Sequence, residues 1–435
     1  MRKRIKSLLL VAVIVLVADG AYALQPLGTF LQAARQDNPN NRESRANADA
    51  ARAESAASIG RLLPSASLGG TYTRNQYETS MSLPSAGGTP QEMIVTPEDQ
   101  LDGTATLSVP LVDLAGFWRA RAARARARSS QWLQVDAAIQ IESQVIENYY
   151  QVIADIGLVA ASEQALEVSK ASLALAETLF QSGRAPALDV DRAEAEVERQ
   201  VQQLAAARFQ LEVDTRSLRS LTGIEPDKTN TPALNDDLNE EPPLETFQSP
   251  DYDLPGLAAA IEARRAQHEQ SLAQRLTTLP SLGSSFTEHG TNAEGFGGHE
   301  WSWQAMLTLT WNFDVPTYAN IRVQNAQMRA AEAREERDRL ASRDAIHRAW
   351  SMVQTVIARC RSARKQAQVS RHAAELVRDR YSVGSTTQLD LLQAERDAFA
   401  AEINQIQTDT DLANARAQLL LAAGRSVVSK NEVTQ

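Results

Sequence analysis

The chain has 435 residues, with 44 Lys and Arg against 54 Asp and Glu, a net charge of −10. That acidic balance excludes general nucleic-acid binding, which needs a clustered positive surface. Only 5% of residues are aromatic and one is cysteine, Cys360, so neither an intramolecular disulfide nor a thiolate zinc cage can form.

Arg2-Lys3-Arg4-Ile5-Lys6 is a positive n-region, Leu8 to Ala18 an apolar run, and Ala21-Tyr22-Ala23 a small-x-small cleavage site. Residues 1–23 therefore read as an export signal. The run is too short for a transmembrane helix, which takes about 20 apolar residues. No cysteine stands near the expected mature start to carry a lipid. A mature chain of this kind can cross a membrane only as a closed β-barrel.

A first unit, 24–223, follows. It is predicted to hold a helix over 26–60, strands over about 65–74 and 101–112 around a polar loop, a long helix over 115–182 and a helix over 187–222. A proline-rich linker occupies 224–250. A second unit, 251–424, repeats the order: helix 252–278, strands over about 280–289 and 301–313, long helix 316–383 and helix 387–423. A tail, 425–435, ends the chain. Two constant spacings support the repeat. Leu63-Pro64-Ser65 recurs as Leu279-Pro280-Ser281, while Phe180-Gln181-Ser182-Gly183 pairs with Tyr381-Ser382-Val383-Gly384, and Asp113 with Asp314. The polar loop over 75–100 is longer than its counterpart over 290–300, which accounts for the difference between the spacings.

The first long helix is free of proline from Ala115 to Ser182, a stretch worth roughly 100 Å, more than a globular domain needs. Val145, Val152, Val159, Leu166, Leu173 and Phe180 sit seven apart, and Ile346, Val353, Cys360, Ala367, Ala374 and Tyr381 occupy the matching track. A seven-residue period predicts helices supercoiling side by side, with Cys360 as a small buried apolar group.

Trp301, Trp303, Ala305, Leu307, Leu309, Trp311 and Phe313 alternate with mostly polar neighbours, which is the strand period. Trp301 to Trp311 spans about 33 Å of strand, or roughly 25 Å of height when tilted, the span of an apolar membrane band between aromatic girdles. Trp301, Trp303, Trp311 and Phe313 are the expected girdle. Four strands cannot close in lipid, so the chain is expected to share a barrel with other copies.

These features, in order and in two copies, resemble the TolC family of outer-membrane efflux and type I secretion channels. The resemblance runs from Leu27 and Asn38-Pro39 through Leu62-Leu63-Pro64-Ser65. Its most specific parts are the turns at Phe180 to Val190 and Tyr381 to Leu392, with helix ends at Leu221-Thr222-Gly223 and Ala422-Ala423-Gly424. It implies an α+β membrane protein: a homotrimer with a 12-stranded outer-membrane β-barrel above a periplasmic α-helical barrel, the linker lying in an equatorial belt. It implies as partners outer-membrane lipid, a periplasmic adaptor (membrane fusion protein) and an inner-membrane pump of RND or ABC type. Adaptor docking is expected at the tip, on Ser182, Gly183, Arg184, Val383, Gly384, Ser385 and Thr386. Asp390, Asp189, Arg192 and Tyr381 are expected at the pore constriction. Asp390 would form a carboxylate ring, weakened because Gln393 stands where family members often carry a second Asp, and Asp189 with Arg192 would latch across helices, unless Asp189 serves only as an N-terminal helix charge.

No nucleophile–base pattern, phosphate loop or dinucleotide signature occurs, so no enzyme, cofactor or metal site is expected. His289 and His299 flank a glycine-rich loop without ligand spacing. Arg119, Arg121, Arg124, Arg126 and Arg128 imitate a nucleic-acid patch but follow a strand directly; they suit either lipid headgroups at the inner rim or acidic partners on a solvated helix face. A periplasmic coiled-coil scaffold that never enters the membrane is the alternative from another class. The Trp-flanked strands argue against it.

Overall fold

The computed structural model describes residues 24–83, 91–228, 234, 236–293, 300–312 and 314–427. The expected export signal, Phe313, His299 and most of the tail lie outside these residues. Two helices open the described chain, α1 (Leu27–Asp37) and α2 (Pro39–Gly60). A single helix over 26–60 was expected. Pro39 forces Asn38 out of the helical region, and the Asn38 side chain accepts from the Asn40 amide at 2.9 Å, so a second helix begins there.

The strands β1 (Ser65–Arg74), β2 (Thr79–Leu83), β3 (Gln91–Thr96) and β4 (Asp99–Val112) come next. The segment 75–100 is thus not a plain loop. β2 and β3 pair antiparallel into a hairpin, closed at its base by Asn75 N donating to Glu98 O at 2.8 Å. With β5 (Ser281–Thr291) and β6 (Trp301–Thr310), the main sheet runs β1-β4-β5-β6, all antiparallel, with β1 and β6 as unpaired edges.

Two helices of 68 residues, α3 (Leu114–Gln181) and α6 (Val315–Ser382), descend from the sheet. Each is started by an aspartate: Asp113 accepts from Gly116 N at 2.7 Å and Asp314 from Thr317 N at 2.9 Å, satisfying donors that a helix start leaves free. The strand over 301–313 stops at Thr310 because Asp314 and Pro316 already belong to the start of α6. Each long helix turns back into a shorter one, α4 (Ala187–Thr222) or α7 (Gln388–Ala422), while α5 (Pro255–Leu276) precedes β5.

The seven-residue track on α6 is buried throughout, from Ile346 to Tyr381, and Cys360 donates its thiol to Thr408 O at 2.8 Å. On α3 the track holds only to Val152. Below it the buried seam steps to Asp155, Ser162, Ser169 and Ala176, leaving Phe180 exposed. A straight helix drifts against a strict heptad, and here the drift moves the seam by about one turn.

The helices lie side by side in a fixed order. Near the sheet it is α2–α3–α5–α6, and toward the turns it is α4–α3–α7–α6. The sheet order carries the same handed sequence, so β1, α2 and α4 form one open side of the molecule and β6 and α6 the other. The linker is strapped to α6 and α7: Trp350 Nε1 donates to Pro242 O at 2.9 Å, and Arg416 pairs with Asp236 and Glu241.

Candidate functional site

Strand register assigns every side chain to a face of the sheet. One face carries the rows Ala66, Leu107, Phe286, Ala305 and Gly70, Gly103, Gly290, Trp301; the opposite face carries Ser67, Thr106, Thr287, Gln304. On the apolar face, Trp303 stacks on Phe286 with centroids 6.0 Å apart, and the Trp301 ring covers Gly290 so closely that a Cβ there would meet it at 3.0 Å. Trp311 lies past the end of β6 and its indole donates to Thr278 O at 3.0 Å, holding it at the helix-proximal rim. Glu288, level with Trp303 and Ala105, is a charged residue within the apolar face, and Arg74 and Asp99 pair at its far end. The polar face is knit by Thr106 and Thr287 hydroxyls 3.2 Å apart and by His289 beside Asp102 at 3.5 Å.

Below the sheet, nearly every helix joint is bridged by an arginine and a carboxylate. Arg35 on α1 reaches Glu142 on α3 at 2.5 Å, Arg128 on α3 reaches Glu262 on α5 at 2.8 Å, and Arg264 on α5 pairs with Glu335 on α6. Arg378 joins α6 to Glu395 on α7 at 3.0 Å, and Arg396 on α7 crosses to Glu196 on α4 at 2.7 Å. The basic run after β4 therefore works through acidic partners: Arg119 faces Asp113, and Arg121 lies between Glu269 and the Trp118 ring. No joint of this kind was legible, because each pair is far apart in sequence. The joint between α3 and α4 holds such a pair too, Arg208 with Glu163 at 2.7 Å, and beside it two carboxyls in contact. Asp155, buried, meets Asp214, and its carboxyl is pushed up to about 7 by burial first and by Asp214 second.

At the far end, Gly183 (φ 73°) and Gly384 (φ 80°) end the two long helices in the left-handed region that favours glycine. Ser182, Gly183, Arg184, Val383, Gly384 and Ser385 are exposed around these turns, with Thr386 half-buried. Asp390 is exposed and caps α7. It accepts from the Thr387 hydroxyl at 2.6 Å, the Thr387 amide at 3.2 Å and the Thr386 hydroxyl at 3.0 Å, and these bonds, Thr387's first, lower its pKa. Two residues expected at the constriction make contacts within this chain. Tyr381 is buried against Leu179 and Leu391, because its position on the heptad seam turns it inward. Arg192 meets Asp189 along α4 at 3.7 Å, a contact one turn apart on one helix and not across helices. Among the described residues no group of three or more His, Cys, Asp or Glu could hold a metal ion, and no helix is long and apolar enough to cross a membrane.

A profile described as outer membrane efflux protein matches residues 30–224 and 251–425. The chain belongs to the outer membrane efflux protein family. Similar relatives include the outer membrane efflux protein BepC of Brucella suis, 26% identical over 65% of this chain and 62% of that protein. The outer membrane protein TolC of Salmonella enteritidis is 25% identical over 90% of this chain and 78% of its own. The aligned region thus spans under two thirds of BepC and over three quarters of TolC. Among solved structures, the outer-membrane channel OprN superposes with a TM-score of 0.78 at 20% identity, covering 92% of this chain and 89% of that one. The CmeC outer membrane channel of Campylobacter jejuni gives 0.77 at 16% identity, covering 94% and 88%. The fold is that of these channels.

Proposed function

We propose that this outer-membrane efflux protein works as a homotrimer, a passive exit duct for a tripartite efflux pump or a type I secretion system. One observation carries the proposal: the sheet and both helical levels are open on the same two sides. An unpaired strand edge cannot stand in hydrocarbon, so β6 and α6 of one copy meet β1, α2 and α4 of the next. Three copies give a 12-stranded barrel, with the Trp301 and Trp303 face toward lipid and the Thr106 face toward a wet lumen. The helices continue it as a tunnel.

The chain holds no energy-coupling motif, so an inner-membrane pump of RND or ABC type and a periplasmic adaptor drive transport. The exposed turns from Ser182 to Arg184 and Val383 to Thr386 are the adaptor's docking points. Asp390, held ionised by its cap bonds, lines the constriction as a ring of three carboxylates that favours cations. Opening separates the α6–α7 hairpin from α3–α4, breaking the contact of Arg396 with Glu196.

Edge-to-edge crosslinking tests the assembly. With Cys360→Ala as background, cysteines at Ser67 on β1 and Thr308 on β6 give an oxidation ladder in membranes that ends at three chains. A ladder ending at two or continuing past three refutes the trimer. Recovery of the protein without detergent favours the periplasmic scaffold instead. A photoreactive group at Ser182 or Ser385 captures an adaptor together with a proton-driven or an ATP-driven pump, which separates efflux from polypeptide secretion.

A further inference from the structure

A cavity of about 150 Å³ lies where α3, α4, α6 and α7 come together, between the turns and the strapped middle of the molecule. Its apolar lining includes Ala161, Val168, Ala374 and Phe399. The wall also carries Arg371 and Arg378, already paired with Glu402 and Glu395, and within it one acceptor lacks a donor and another has room for one. Gln200, 4% exposed, gives its amide nitrogen to Glu196 Oε1 at 2.8 Å, and its buried carbonyl oxygen receives no hydrogen bond. Glu196 cannot supply one, since both its oxygens already accept from arginines. On Glu395, the bonds from Ser172 and from Arg378 all fall on Oε1, so Oε2 has spare capacity, and burial raises this carboxyl's pKa.

A buried acceptor left unpaired costs stability, and a carboxylate gains most from a charged donor. The volume equals that of a cavity able to take benzene. We propose that this cavity binds a small monocation with a planar or short apolar body, an amidinium, guanidinium or primary ammonium, whose N–H groups serve Gln200 and Glu395. Gln200 stands on α4 and Glu395 on α7, so the occupant ties one hairpin to the other. In the exit-duct function proposed above, on which this consequence rests, it holds the channel shut.

Benzamidine is a suitable probe, with a four-donor amidinium on one ring. Titrated into the detergent-solubilised full chain by calorimetry, it binds saturably at one site per chain, with a dissociation constant on the order of 1 mM or tighter for a ligand of its size. Gln200→Leu and Glu395→Gln each weaken binding by about tenfold or more. Benzyl alcohol, similar in size but uncharged, does not compete. Thermal melts check folding, and Gln200→Leu keeps a midpoint near that of the unaltered chain, because removing an unpaired acceptor offsets the lost amide bond to Glu196. Absence of saturable binding, or unchanged affinity in both folded variants, overturns the site. The crosslinking ladder is read independently, so failure here leaves the assembly intact. In planar bilayers benzamidine lowers open probability of the unaltered channel and not of Glu395→Gln; binding without that effect overturns the clamp.

Discussion

Arg396 on α7 and Arg199 on α4 grip the same carboxylate, Glu196, whose side chain is almost wholly buried. Arg199 belongs to the same helix as Glu196, so of these two arginines it is Arg396 that crosses between the hairpins, as Ser172 does to Glu395. Arg396→Gln leaves Glu196 its local partner, and the expected loss is about 1–2 kcal/mol, less than for a fully stranded buried charge. Single-channel recordings are expected to show more frequent opening. Arg199→Gln, which spares the cross-hairpin bond, leaves opening unchanged while lowering the melting temperature.

Asp155 and Asp214 give a pH dependence. The folded state raises the Asp155 carboxyl to about 7, well above its ordinary value. Folding therefore favours its protonated form. The stabilisation is complete below the ordinary carboxyl range and is lost as pH rises through about 7. Melting temperature falls between pH 5 and pH 8, and Asp155→Asn flattens that slope. A slope unchanged in the variant assigns the dependence to another group.

The left-handed turns set a third prediction. Gly384→Ala and Gly183→Ala each place a Cβ at positive φ, costing about 1–2 kcal/mol. The loss is confined to the turns, where hydrogen exchange of residues 181–188 and 381–390 speeds up while the sheet is unaffected. Slower exchange contradicts the assignment.

Asp390→Asn tests the constriction. The cap bonds that keep Asp390 ionised lower its pKa, so its charge persists through mildly acid conditions. Reversal-potential measurements in a salt gradient are expected to show reduced cation preference in the variant from pH 5 to 8. An unchanged reversal potential removes Asp390 from the conduction path.

Much of the architecture was legible because two periods are strong in the sequence. Alternation from Trp301 to Leu309 marks β6 and its apolar face, and the seven-residue spacing from Ile346 to Tyr381 marks the buried seam of α6. The same rule failed on α3 below Val152, where small polar residues such as Ser162 and Ser169 fill the seam. Hydrophobic periodicity is blind to them. Asn38-Pro39 carried a readable cap signal that a continuous helix overlooked. Tyr381 was legible twice, as a seam residue and as a gate residue, and its packing within the chain is that of the seam. The arginine–carboxylate joints, the Asp155–Asp214 contact and the cavity beside Gln200 depend on side chains brought together from distant segments, which no single-chain pattern encodes.

The two open sides of the molecule also have a genetic consequence. In the head-to-tail ring proposed above, every subunit lends both its β1 side and its β6 side, so one faulty side spoils a joint for the whole ring. Lesions on either edge are therefore dominant: a minority of altered subunits poisons most of the rings formed in the same cell. Lesions confined to the turns act subunit by subunit and are diluted by normal copies.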